Sequence, residues 1–171
     1  MGESYEFETV DFITAGALGE PGARTFYVQA ESGPDQVALI VEKGQVRSLA
    51  QLAQELLAQA GVTVTPDDLD EASYRLREPV EPIWRAGSMS LGMDEESQLF
   101  ALEVAELTDD EEEEPGYVRL WMTRDQLGGL AAYAAYAVEA GARETCRHCG
   151  RPIGADGHVC PSMNGHGPLA T

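Results

Sequence analysis

All three cysteines of the chain, Cys146, Cys149 and Cys160, fall in one C-terminal stretch, together with its three histidines, His148, His158 and His166. Cys146-Arg147-His148-Cys149-Gly150 has the Cys-x-x-Cys spacing that lets two thiolates hold one ion while turn amides donate to the sulfurs. The second pair, His158-Val159-Cys160, follows shortly after. Three sulfurs and one nitrogen make the closed tetrahedral set of a structural Zn²⁺ site. A catalytic zinc keeps one position for water, so a full set points to structure rather than chemistry. A redox Cys-x-x-Cys pair would need a thioredoxin-like context, which the sequence lacks. His158 is the favoured nitrogen ligand because it shares a turn with Cys160; His166 is the best substitute, and His148 sits inside the first pair. An odd, clustered cysteine count also argues against a secreted disulfide framework.

The segment carrying these ligands differs electrically from the rest. The chain has 171 residues, with 30 acidic against 11 basic side chains and a net charge of −19. Residues 142–171 hold Arg143, Arg147 and Arg151 against Glu144 and Asp156, a formal +1, so residues 1–141 carry −20 of that total. Such acidity argues against nucleic acid, whose phosphates are bound by Lys and Arg, and against an anionic membrane surface. The tail is the only place left for nucleic-acid contact, and its charge is small. It is also too short to hold itself together by burial, so metal binding should supply its folding energy. The chain is expected to be cytoplasmic: it shows no secretory leader, and its longest nearly uncharged run, Leu127–Val138, is too short to span a bilayer.

The elements that must carry the tail read as strands and helices in a repeated order. Phe12–Leu18 and Thr25–Ala30 are strand-like, joined through Pro21-Gly22. A turn at Ser32-Gly33-Pro34-Asp35 leads to a buried strand, Val37–Val41. A helix follows, with Val46, Leu49, Ala53, Leu56, Leu57 and Ala60 on one face and Arg47, Gln51, Gln54, Glu55 and Gln59 on the other, stopped by Gly61. Residues 62–82 read as a connector in which Thr65-Pro66 can start a helical turn. Strands follow at Trp84–Leu91, Gln98–Ala105 and Tyr117–Met122. Thr123 and Gln126 then form a capping-box pattern ahead of a helix through Leu127, Leu130, Ala131, Ala134 and Val138.

The stretch Leu39–Val46 matches Leu120–Leu127 at a constant offset, and Ala15-Gly16-Ala17 echoes Ala86-Gly87-Ser88 upstream. The predicted fold is therefore α+β: two pseudo-symmetric βββα units, about 7–61 and 83–141, forming a largely antiparallel sheet covered by two helices. Residues 1–141 are the body, and 142–171 a small C-terminal zinc-binding knuckle.

Other side chains have both a sharp and a plain reading. Arg24 is either an anion clamp or one half of a surface salt bridge, and the salt bridge is favoured. Glu42, Lys43 and Gln45, with Arg124 and Gln126 at the equivalent junction, either frame a cleft between the halves or simply start helices; capping explains them without a ligand. The run Asp109–Glu114 lacks calcium-loop spacing and reads as a solvated tip. Tyr133 and Tyr136 lie off the main apolar stripe and, if exposed, form a partner-docking patch. No histidine general base exists in the body, and no phosphate loop is present.

Three stretches together resemble a known family. They are Ala15–Ala30, Val41–Val46, and Cys146-x-x-Cys149-Gly150-x-Pro152 with Gly157-His158-Val159-Cys160-Pro161-x-x-Asn164-Gly165. They look like domain-of-unknown-function family 3090, widespread in actinobacteria, and the resemblance covers nearly the whole chain in order. Gly44, where a charged residue is commoner, and the start before Phe12 depart from the pattern. The resemblance implies a βββα-type body with a zinc-binding tail and no assigned activity; genomic association with a histidine-phosphatase-like and a kinase-like protein hints at a shared pathway. The expected function is a non-enzymatic, protein-binding adaptor with an unidentified protein partner. The alternative is an enzyme or small-ligand protein with a site between the halves, lined by Arg24, Glu42, Lys43 and Arg124.

Overall fold

The computed structural model describes residues 2–20, 22–64, 69–140, 146–149, 153 and 157–161. Pro21, the expected helical turn at Thr65–Asp68, and His166 lie outside the described residues. The fold is α+β, with seven strands in one sheet and three helices among the described residues. In chain order these are β1 (Tyr5–Phe7), β2 (Phe12–Leu18), β3 (Thr25–Ser32), β4 (Asp35–Val41), α1 (Lys43–Gln59), α2 (Glu71–Tyr74), β5 (Trp84–Met93), β6 (Phe100–Glu106), β7 (Tyr117–Met122) and α3 (Arg124–Ala140).

Each half is an antiparallel three-stranded meander followed by its helix: β2-β3-β4-α1, then β5-β6-β7-α3. The halves join side by side through a short parallel pairing, Leu39 with Trp84 and Ile40 with Arg85. The sheet order is β1-β7-β6-β5-β4-β3-β2. Its two ends meet, because Val10 donates its N–H to the Trp121 carbonyl at 3.1 Å while the next residue, Asp11, donates to Glu31 at 2.8 Å.

The pairing register fixes which residues correspond. Phe26 lies between Ala17 and Val41, and Phe100 lies between Met93 and Met122. Gly16 therefore corresponds to Gly92 and Thr14 to Ser90. The sequence echo of Gly16 with Gly87 is therefore not a structural match: Gly87 stands five residues ahead of Gly92, and the irregularity of β5 between Ala86 and Met89 shifts the register by only one.

One face of the sheet and both helices share a single core. Ile13, Ala15, Val28, Leu39, Leu102, Val104 and Leu120 from the strands meet Val46, Ala53, Leu57, Leu127, Leu130 and Ala134 from the helices. α1 and α3 pack on each other, and the polar face expected for α1 is exposed at Arg47, Gln51, Gln54, Glu55 and Gln59. α1 ends where expected: Gly61, at φ +77°, lets Val62 donate back to Leu57 at 2.8 Å.

Both helix starts are capping boxes. Gln45 accepts from the Glu42 N–H at 2.7 Å, and Gln126 accepts from the Thr123 N–H at 2.9 Å. The same glutamines tie the halves together in a crossed manner. The Gln45 amide donates to the Gly87 carbonyl of the second half at 2.9 Å, and the Gln126 amide donates to the Val10 carbonyl of the first at 2.6 Å.

Two elements were not foreseen. β1 is only three residues long and pairs in parallel with β7, Tyr5 opposite Val118. α2 is a single turn capped by the Asp70 side chain, and it lies between α3 and β2. Of the two tyrosines that would form a docking patch if exposed, only one is: Tyr133 is 9% exposed with Tyr74 stacked on it at 6.2 Å, whereas Tyr136 is 39% exposed.

Candidate metal centre and strand-end cleft

The structure brings Cys146, Cys149, His158 and Cys160 together, with one ligand atom from each lying within 4.8 Å of the others. Tetrahedral zinc with thiolate bonds of about 2.3 Å separates its sulfurs by about 3.8 Å, so the donor spacing fits one ion. The Cys149 sulfur lies 3.0 Å from His158 Nε2, which identifies the nitrogen turned into the cluster. Among the described residues His148 is not part of it. Cys160 is buried, and the other three are partly covered.

The local backbone prepares the first thiolate. The N–H groups of Cys149 and His148 point at the Cys146 sulfur and, with smaller contributions from the Cys160 and Cys149 side chains, pull its pKa down to about 7. Amides aimed at a sulfur across a Cys-x-x-Cys turn stabilise the charged form that binds metal. The donor set is soft, three sulfurs and one imidazole nitrogen, a chemistry that fits a thiophilic metal ion such as zinc.

A second concentration of chemistry lies at the strand ends of the first half. Arg24, Glu42, Lys43 and Arg85 line a cleft of about 340 Å³ floored by Phe26, Ile40 and Val41. The expected cleft set is thus split. Arg24, Glu42 and Lys43 come together, while Arg124 starts α3 at the other junction and is not in this cleft. Arg85 replaces it, carried in by the parallel register that sets Ile40 opposite Arg85.

Within the cleft Arg85 Nη1 is 2.5 Å from Glu42 Oε1, an exposed ion pair. Arg24 departs from expectation: it has no salt bridge among the described residues, and its Nε is buried without a hydrogen-bond partner. The reason is placement. The turn after β2 sets Arg24 beside the start of α1, where the one carboxylate of the cleft, Glu42, is already shared between the α1 cap and Arg85.

The remaining surface features are plainer. Residues 109–115 are exposed, with the Asp110 side chain accepting from Glu112 at 2.9 Å, a local turn in a solvated loop. No helix among the described residues is long and apolar enough to cross a membrane.

The family model described as "Protein of unknown function (DUF3090)" matches residues 5–160. The chain belongs to that family. No curated protein and no solved structure matches it.

Proposed function

We propose that this DUF3090 protein is a non-catalytic binding module, with an unidentified protein as partner, whose C-terminal segment is held in shape by one structural Zn²⁺. The observation that carries the reading is the complete set of Cys146, Cys149, His158 and Cys160 donors within 4.8 Å of one another. Such a set satisfies the ion by itself, so its use is to fold residues 142–171 as a unit beside the body rather than to activate a substrate. Zn²⁺, when bound, supplies only cross-linking. The chain's residues do the rest: the turn amides hold the Cys146 thiolate, and His158 offers Nε2.

A native mass spectrum of the full chain purified from its own host tests this. The expected result is one zinc per chain, lost in Cys149→Ser, with a second protein retained at stoichiometry. A bare, metal-free chain overturns the metal assignment. Turnover of a substrate that is lost on changing one body carboxylate, with the fold intact, overturns the non-catalytic reading.

The cleft at the strand ends supports a second reading, a small anionic ligand bound at the junction of the halves. Its specific support is the buried, unpartnered Arg24 Nε beside Lys43 and Arg85 in a chain of net charge −19. Inorganic phosphate or acetate should shift the Arg24 side-chain NMR signal saturably, and not at all in Lys43→Gln/Arg85→Gln. Titration without any shift overturns it.

A further inference from the structure

The two halves correspond residue by residue, so a groove in one has a counterpart in the other. From the strand register, Ile13, Thr14 and Ala15 correspond to Met89, Ser90 and Leu91. From the constant helix offset, Gln126, Gly129 and Tyr133 correspond to Gln45, Ser48 and Leu52.

The groove between α3 and β2 is filled by the chain itself. Tyr74 of α2 stacks on Tyr133, and the Thr14 hydroxyl donates to the Tyr74 carbonyl. Beyond it, the Gln29 side chain grips the backbone of Arg77 from both sides: its amide donates to the carbonyl at 2.8 Å and its oxygen accepts from the N–H at 2.8 Å. Gly129 is what admits the ring, since a Cβ there would collide with the Tyr74 ring and hydroxyl.

The counterpart groove between α1 and β5 is open. It is a cavity of about 270 Å³ lined by Gln45, Ser48, Leu49 and Leu52 on one side and Met89, Ser90 and Leu91 on the other. Leu52, standing where Tyr133 stands, is 43% exposed. β5 pairs with β4 only at Trp84 and Arg85, so from Ala86 to Met93 that edge has no strand beside it among the described residues. An apolar hollow beside a free strand edge is the setting in which extended peptides bind.

We propose that the α1/β5 groove receives a short segment of a partner protein, a helical turn running into extended chain as residues 71–77 do, which inserts one aromatic side chain against Leu52 and Leu91 and offers a backbone carbonyl to the Ser90 hydroxyl. The occupant of the filled groove shows what kind of segment fits: residues 71–77, Glu-Ala-Ser-Tyr-Arg-Leu-Arg, place one tyrosine in the hollow and follow it with two arginines. Arginines flanking the aromatic residue also match a body whose residues 1–141 sum to −20, since the chain totals −19 and residues 142–171 are +1. The proposal rests on the binding-module reading and is independent of the metal.

The probe is a synthetic peptide with the sequence of Ala72–Arg77, acetylated and amidated so that its only charges are Arg75 and Arg77, titrated into the isotope-labelled full chain. Saturable amide shifts are expected at Ser48, Leu52 and Ser90. Leu52→Glu, at an exposed position that leaves the core intact, should weaken binding at least about tenfold, equivalent to about 1.4 kcal/mol. A peptide carrying alanine at the tyrosine should lose binding to the same degree. Ser90→Arg is the second variant, blocking the groove from the strand side.

Three results overturn the proposal: no saturable shift at millimolar peptide, shifts confined to Gly16 and Tyr133, or binding unchanged in Leu52→Glu and Ser90→Arg. Self-association without peptide that Leu52→Glu abolishes also overturns it, by giving the groove to a second copy. A partner protein retained in the native mass spectrum and still bound by Leu52→Glu would overturn the groove and leave the binding-module reading standing.

Discussion

The groove of β2 against α3 is covered, and the strand ends beside it gather Arg24 and Lys43 with Arg85; the groove of β5 against α1 is open, and among the described residues the other strand ends carry no such cluster. At the counterpart of Arg24 stands Gln98, and at the counterpart of Glu42 stands Thr123. Yet the meander register, both capping boxes and the crossed glutamine bonds recur in both halves. The shared features are those the fold needs, because each satisfies backbone groups at a helix start or a strand end. Where the halves differ, some residues serve only their own half, as Gln29 does, and others, such as Arg24 against Gln98, lie outside the shared bonds. The latter positions are therefore free to carry binding.

The largest effect should come from the cover of the first groove. Gln29 is fully buried and satisfies two backbone groups of Arg77. Gln29→Ala should cost about 2–3 kcal/mol in urea unfolding. Its counterpart, Glu103, is partly exposed, and Glu103→Ala should cost about 1 kcal/mol or less. Equal losses at the two sites would break the comparison.

Tyr74→Ala comes next. It removes the stacked ring from Tyr133 and should cost about 1–2 kcal/mol. It also makes the first groove resemble the second, so peptide stoichiometry by calorimetry should rise from one to two. A stoichiometry that stays at one would separate the grooves despite their correspondence.

Gln45→Ala and Gln126→Ala should each lose about 1 kcal/mol, and the two losses should agree within about 0.5 kcal/mol. A large disparity in denaturant midpoint would show that the pseudo-symmetry is one of shape without equal energetics.

Acid gives the smallest effect. Tyr117, then Arg119 and Ser90, hold the Glu103 carboxyl below its ordinary range, and Ser97 does the same for Asp94. A folded pKa below the unfolded value gives stability that is present above the unfolded pKa and is lost as pH falls through the folded one. Stability should therefore decline below the ordinary carboxylate range, and Glu103→Gln should flatten that decline in an acid titration followed by fluorescence. An unchanged slope would exclude Glu103 as a contributor.

Much of this arrangement was legible in the sequence because its causes are local. Cys146, Cys149, His158 and Cys160 announce themselves by type and spacing. Thr123 and Gln126 announce a helix start, and Gly61 a stop. Arg85 was missed because it enters the cleft only through the pairing of β4 with β5, which no periodicity records. β1 and α2 were missed for a related reason. Three and four residues carry too little pattern, and both are held by distant partners: β1 by β7, and α2 by Thr14, with Gln29 gripping the chain just beyond it. The burial of Tyr133 was lost with α2, its cover.

The pairing of β1 with β7 also sets a timetable for synthesis. Ser4 and Tyr117, joined by a 3.0 Å hydrogen bond, stand 113 residues apart. At about 5–20 residues per second, a ribosome needs roughly ten seconds to make the intervening chain. Throughout that interval β1 has no β7 to pair with, and the nascent strand edges are open to wrong partners. The sheet can close only after both meanders are complete, so the order in which this protein is made and the order in which it is assembled run in opposite directions at its first strand.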